Sequence, residues 1–142
     1  HVHERVAILG PPCIGKSTLA GHIPAALDMD TVLFPCLSFE EKKLVFQKPW
    51  SPVVGNEMRR LANSKLLIVP GQPIFATVVL EADLIIHLRI SDELLLQRIS
   101  SRSERRQSFA DVKGIQSQLE TDILNAKIPV VEVWLTNNNQ NR

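Results

Sequence analysis

The sequence predicts an α/β fold with a five-stranded parallel sheet covered by helices on both faces. Three observations lead there. Short, continuous apolar runs recur along the chain, as in strands buried on both sides. Stretches with apolar residues at helical spacing alternate with them. Gly and Pro punctuate the boundaries, and strands alternating with helices imply right-handed crossovers.

Val6-Ala7-Ile8-Leu9 is the first buried run and stops at Gly10. Residues 16–27 read as a helix with Leu19, Ala20 and Ile23 on one side, which Pro24 should end or kink early. Residues 28–34 read as a second strand with carboxylates at its edge. Residues 38–64 are helical but broken by Pro49 and Pro52, which gives two short helices. Residues 65–69 form a third apolar run, ended by Pro70-Gly71, and residues 74–80 a short helix. Leu84-Ile85-Ile86-His87-Leu88 is the fourth strand. Ser91-Asp92-Glu93 then supplies an N-cap and first-turn carboxylates for a helix running through Leu94, Leu95 and Ile99. Val112, Ile115, Leu119, Ile123 and Ala126 make the stripe of another helix. Residues 129–135 form the fifth strand, and the polar residues 137–142 are expected to fray. With 142 residues, no repeat and no linker, a single domain is expected over 1–142.

Composition excludes several classes. Lys and Arg number 16 against 15 Asp and Glu, a net charge of +1, which argues against a duplex nucleic-acid binder with its strongly basic face. No apolar run approaches the about 18–20 residues of a membrane span. The first ten residues lack the basic start and apolar stretch of a secretory signal. Cys13 and Cys36 are too few for a disulfide framework, and no Cys/His cluster has zinc spacing. A reducing, cytoplasmic setting is expected, with no membrane partner. The chain begins at His1 rather than Met, as a fragment or processed product would.

Gly10-Pro11-Pro12-Cys13-Ile14-Gly15-Lys16-Ser17 fits G-x-x-x-x-G-K-[ST] at every fixed position, between a buried strand and a helix. Glycines let the backbone curl so that successive N–H groups face a phosphate, and the helix that follows adds its positive end. Lys16 is placed for the β and γ phosphates, Ser17 for Mg²⁺, and Thr18 for a neighbouring phosphate oxygen. The fold expected is therefore that of a P-loop NTPase, and the ligands ATP and Mg²⁺.

Gly10-Pro11-Pro12 with Gly15-Lys16-Ser17-Thr18-Leu19-Ala20 resembles the opening of nucleoside monophosphate kinases and related small P-loop kinases, with Cys13 where many members have Gly. Residues 82–88, followed by Leu95-Leu96-Gln97-Arg98-Ile99-Ser100-Ser101-Arg102, extend the likeness. In that family a similar strand and helix lead into a lid with x-Arg-x-x-x-Arg. The resemblance implies a lid over about 98–111, with Arg98 near the adenine and Arg102 and Arg106 serving the transferring phosphate. Arg98, Arg102, Arg105 and Arg106 share one face if helical, and an arginine fork suits phosphate oxygens. Asp28-x-Asp30 resembles the acidic pair of shikimate and gluconate kinases. That likeness implies that Asp30 accepts the acceptor's proton and helps hold the metal, with Asp28 beside the acceptor. Arg59 and Arg60, in an acceptor-binding insert over about 35–64, are further candidates to hold the acceptor. The family's third strand usually ends in Asp, whereas Val69-Pro70-Gly71 has none. The chain stops soon after its fifth strand, so a final helix and part of the adenine loop are expected to lie outside it.

The function expected is transfer of the γ-phosphoryl group of ATP to a nucleoside monophosphate or another small molecule. The alternatives are a non-catalytic or degraded nucleotide-binding module and an NTPase switch. For the switch, Asp111-Val112-Lys113-Gly114 matches D-x-x-G but falls in a helical region, and no Asn-Lys-x-Asp motif is present.

Overall fold

A computed structural model describes residues 4–12, 23, 25–101 and 108–136. The elements are β1 (Val6–Leu9), β2 (Leu27–Asp28), α1 (Met29–Leu33), α2 (Phe39–Val45), α3 (Pro52–Lys65), β3 (Ile74–Ala76), β4 (Leu84–Arg89), α4 (Asp92–Ser101), α5 (Phe109–Asn125) and β5 (Val130–Trp134). All strand pairs are parallel, in the order β2-β3-β1-β4-β5. The connections leave β1 toward one edge and return past it to the other. The crevice that such a reversal opens therefore lies beyond the carboxyl end of β1.

Alternation along each strand sorts the core into two layers. Ala7, Leu9, Ile74, Ala76 and Ile85 pack with Met29 and Leu33 of α1, Leu61 and Ala62 of α3, and Leu119 and Ile123 of α5. Ile8, Phe75 and Leu88 face the other way, against Leu95 of α4 and Val112 at the start of α5. Helices thus cover both faces, as the buried runs require. The helix starts are sequence-encoded: Ser38 and Glu41 form a reciprocal capping box, and Ser51, Ser91 and Ser108 each accept a backbone N–H of the following turn.

The structure corrects four expectations. Residues 25–28 are not helical, because Ala25 takes a positive φ of 63° and Leu27 already pairs with Ile74. The second strand is only Leu27–Asp28. The rest of the expected strand 28–34 is helix, since the Asp28 carboxylate caps it by accepting the Asp30 N–H at 3.0 Å. The third strand is not residues 65–69. α3 runs through Lys65, Leu67 is 82% exposed, and Val69-Pro70-Gly71-Gln72 is a tight turn. Its Gln72 N–H meets the Val69 carbonyl at 3.0 Å, and Gly71 has φ 81° where a type II turn needs a positive value. The paired strand is Ile74–Ala76, which replaces the helix expected over 74–80 and is followed by Thr77 rather than an acid.

Candidate active site

Three chain segments emerge side by side at the carboxyl ends of the strands. After β1 come Gly10, Pro11 and Pro12. The Gly10 N–H donates to the Ala76 carbonyl at 3.2 Å, which ties the start of the phosphate loop to the end of β3. After β3 come Thr77 and Val78. After β2 comes α1, with Asp30 exposed in its first turn. Pro12, Asp30, Thr77 and Val78 all line one cavity of about 240 Å³.

The opposite wall is apolar and aromatic. It is built from Phe34, from Val45 to Lys48 at the end of α2, from Trp50, and from one face each of α3 and α5. The Phe34 and Phe46 rings lie 5.0 Å apart, tilted by 58°. Trp50 is gripped between the two helices. A methyl group on Gly55 of α3 would come within 2.8 Å of the indole, and one on Gly114 of α5 within 2.7 Å. Only the absence of side chains there lets both helices approach the ring. The Trp50 N–H also donates to the Asp111 carboxylate at 3.3 Å. Asp111 and Gln118 bring α5 into the lining, and the Gln118 amide donates to the Pro52 carbonyl at 3.1 Å and to Asn56 Oδ1 at 3.2 Å.

Several residues singled out from the sequence have other roles here. Asp28 and Asp30 do not share one side of a strand. Asp28 is a helix cap outside the lining, and Asp30 alone reaches the cavity. Arg59 pairs with Asp122 of α5 at 2.5 Å and donates to Asn56 Oδ1 at 3.1 Å, so it clamps α3 to α5 behind the lining. Arg60 pairs with Glu57 on its own helix, which raises the already high pKa of its guanidinium, and it is largely exposed. Arg98 lies in the last turn of α4, where burial lowers its pKa. Cys13, Ile14, Gly15, Lys16, Ser17 and Thr18 lie outside the described residues, as do Arg102, Arg105 and Arg106.

The sequence reading missed Trp50, Gly55, Gly114, Asp111 and Gln118. Two glycines in the middle of helices were the available signal, because interior Gly costs a helix about 1 kcal/mol against Ala. Among the described residues no three His, Cys, Asp or Glu side chains converge on a metal position. Mg²⁺ is commonly held by one or two carboxylates with substrate phosphates and water, so a lone Asp30 carboxylate beside the phosphate loop fits it.

No protein-family model matches the chain, and no curated protein matches it significantly. Solved structures do share its fold. A sugar kinase from a Janibacter species, in unliganded form, superposes with a TM-score of 0.53 at 16% identity over 95% of this chain and 88% of that one. Deoxyadenosine kinase of M. mycoides, with the products dCMP and a flexible dCDP bound, gives 0.52 at 15% identity over 95% and 93%. The fold is therefore that of P-loop kinases. None of the helices among the described residues is long and apolar enough to cross a membrane.

Proposed function

We propose that this protein transfers the γ-phosphoryl group of ATP to a hydroxyl of a small molecule seated in the cavity between α1, α3 and α5. One observation carries the reading: Pro12 of the phosphate loop and the Asp30 carboxylate line the same cavity as the aromatic wall. A triphosphate held by residues 10–18 would present its end toward an acceptor lying against Trp50. Phosphoryl transfer needs mainly positioning and charge, with a base for the departing proton. As the acceptor oxygen bonds to the γ-phosphorus and the bond to ADP breaks, Asp30 takes the hydroxyl proton. Lys16 is the residue assigned to the β and γ phosphates, Ser17 with Asp30 to the metal, and Arg98, Arg102 and Arg106 to the lid. Mg²⁺, when bound, neutralises charge on the phosphates.

Acceptor-dependent ADP release is the test. A panel of nucleosides, nucleoside monophosphates, shikimate, gluconate and sugars should contain at least one compound that stimulates ADP formation, and Lys16→Ala should abolish both ATP binding and that release. ATP binding with no acceptor-stimulated release anywhere in the panel would favour a nucleotide-binding module without transfer. Thr77 in place of an acid after β3 is the observation on that side.

A further inference from the structure

We propose that the acceptor carries no phosphate: it is a nucleoside-type compound, with a flat ring bearing N–H donors and a free hydroxyl, and Asp111 selects it. This deepens the phosphotransferase reading and rests on it for the hydroxyl, while the ring and the charge follow from the cavity itself. The Trp50 indole, fixed between Gly55 and Gly114, is a rigid flat wall whose position has been set before any ligand arrives. Such a wall suits a planar partner, because aromatic faces stack at little cost in ordering.

Charge decides against a phosphorylated acceptor. Among the described lining residues there are two carboxylates, Asp30 and Asp111, and one ammonium, Lys48. A phosphate dianion placed among them would meet like charge in a partly enclosed space, where the water that screens it outside is reduced. Asp111 accepts from the Trp50 N–H through Oδ2. An ionised carboxylate can accept several more hydrogen bonds and donate none, so its complement is an N–H or O–H edge. Size points the same way. About 240 Å³ is below the usual about 300–1,000 Å³ of ligand pockets, which suits a compact acceptor better than one extended by a phosphate.

The test reads the cavity without phosphoryl transfer. The full chain has two tryptophans, so the indole N–H signals of ¹⁵N-labelled protein can be assigned with Trp134→Phe. Titration with adenosine, cytidine and thymidine, and with their 5′-monophosphates, should move the Trp50 signal at about tenfold lower concentration for at least one nucleoside than for its monophosphate. Asp111→Asn should shrink that preference to about twofold, with thermal melting reporting that the variant is folded. Equal or tighter binding of the monophosphates overturns the proposal, as does a Trp50 signal that answers to gluconate or shikimate alone, or to nothing. An unchanged preference in Asp111→Asn removes the role of Asp111. If nucleosides move Trp50 while no acceptor stimulates ADP release, the phosphotransferase reading fails and this inference stands.

Discussion

The two edges of the sheet are built differently. At one edge β2 has two residues, paired with the three of β3, and the chain turns at once into α1 so that Asp30 enters the cavity. At the other, β4 and β5 pair over five residues, from Ile85–Val130 to Arg89–Trp134. Yet β5 is exposed along its whole length, with Glu132 placed mid-edge where a charge discourages strand addition. Its cross-strand ties are polar: Arg89 reaches Glu132 at 2.9 Å and Glu120 at 3.3 Å and lies 5.0 Å from the Trp134 ring. The short edge spends its residues on the site, while the long edge holds the frame. The contrast shows that strand length measures scaffolding rather than function, since ligands gather where strands end.

Asp30→Asn should break the comparison at its most sensitive point. Single-turnover transfer to the acceptor found in the panel should fall by at least ~10²-fold, with ATP binding nearly unchanged, if Asp30 takes the proton. Gly114→Ala should have the next largest effect. Its methyl group would push the Trp50 ring, and the acceptor KM should rise by about tenfold while ATP binding holds, as calorimetry and steady-state kinetics would show. On the frame side, Arg89→Ala should leave transfer kinetics intact and lower stability by only ~1 kcal/mol in urea melts, because its ion pairs are part-exposed. Matching losses of transfer in Arg89→Ala and Asp30→Asn would erase the distinction between the two edges.

The smallest effect is a pH slope. His87 on β4 is 5% exposed, and burial, reinforced by Arg89, lowers its pKa from the ordinary histidine value. The unfolded chain then binds the proton more readily, so stability falls as pH drops through the region near about 6.5 and below. Melting temperature measured across that range should decline toward acid, and His87→Gln should flatten that part of the curve. Asp83 works at lower pH. The Arg5 guanidinium and backbone N–H hold its carboxylate below the usual range, so its contribution is present above that range and lost as pH falls through it.

Much of the frame was legible in residue order. Val6–Leu9, residues 84–88, the Ser91 cap and the Val112–Ile123 stripe all took the form their periodicity required, because a run buried on two faces or a stripe at helical spacing leaves few alternatives. Apolar content misled where tertiary context decides. Residues 66–69 are as apolar as a core strand but lead into the turn at Pro70-Gly71, while Ile74–Ala76 fills the place between β1 and β2.

By itself the sequence determined the α/β class, the parallel sheet and the position of the phosphate-loop motif after β1, because these follow from local periodicity and from turn chemistry within a few residues. Only the tertiary structure decided what surrounds that position. The fold turned Asp28 into a cap and left Asp30 to the cavity, set Arg59 to clamp α3 and α5 together, and brought Gly55 and Gly114, 59 positions apart, onto one indole ring. Each depends on helices that meet only after the sheet has ordered them, and no local pattern encodes such a meeting.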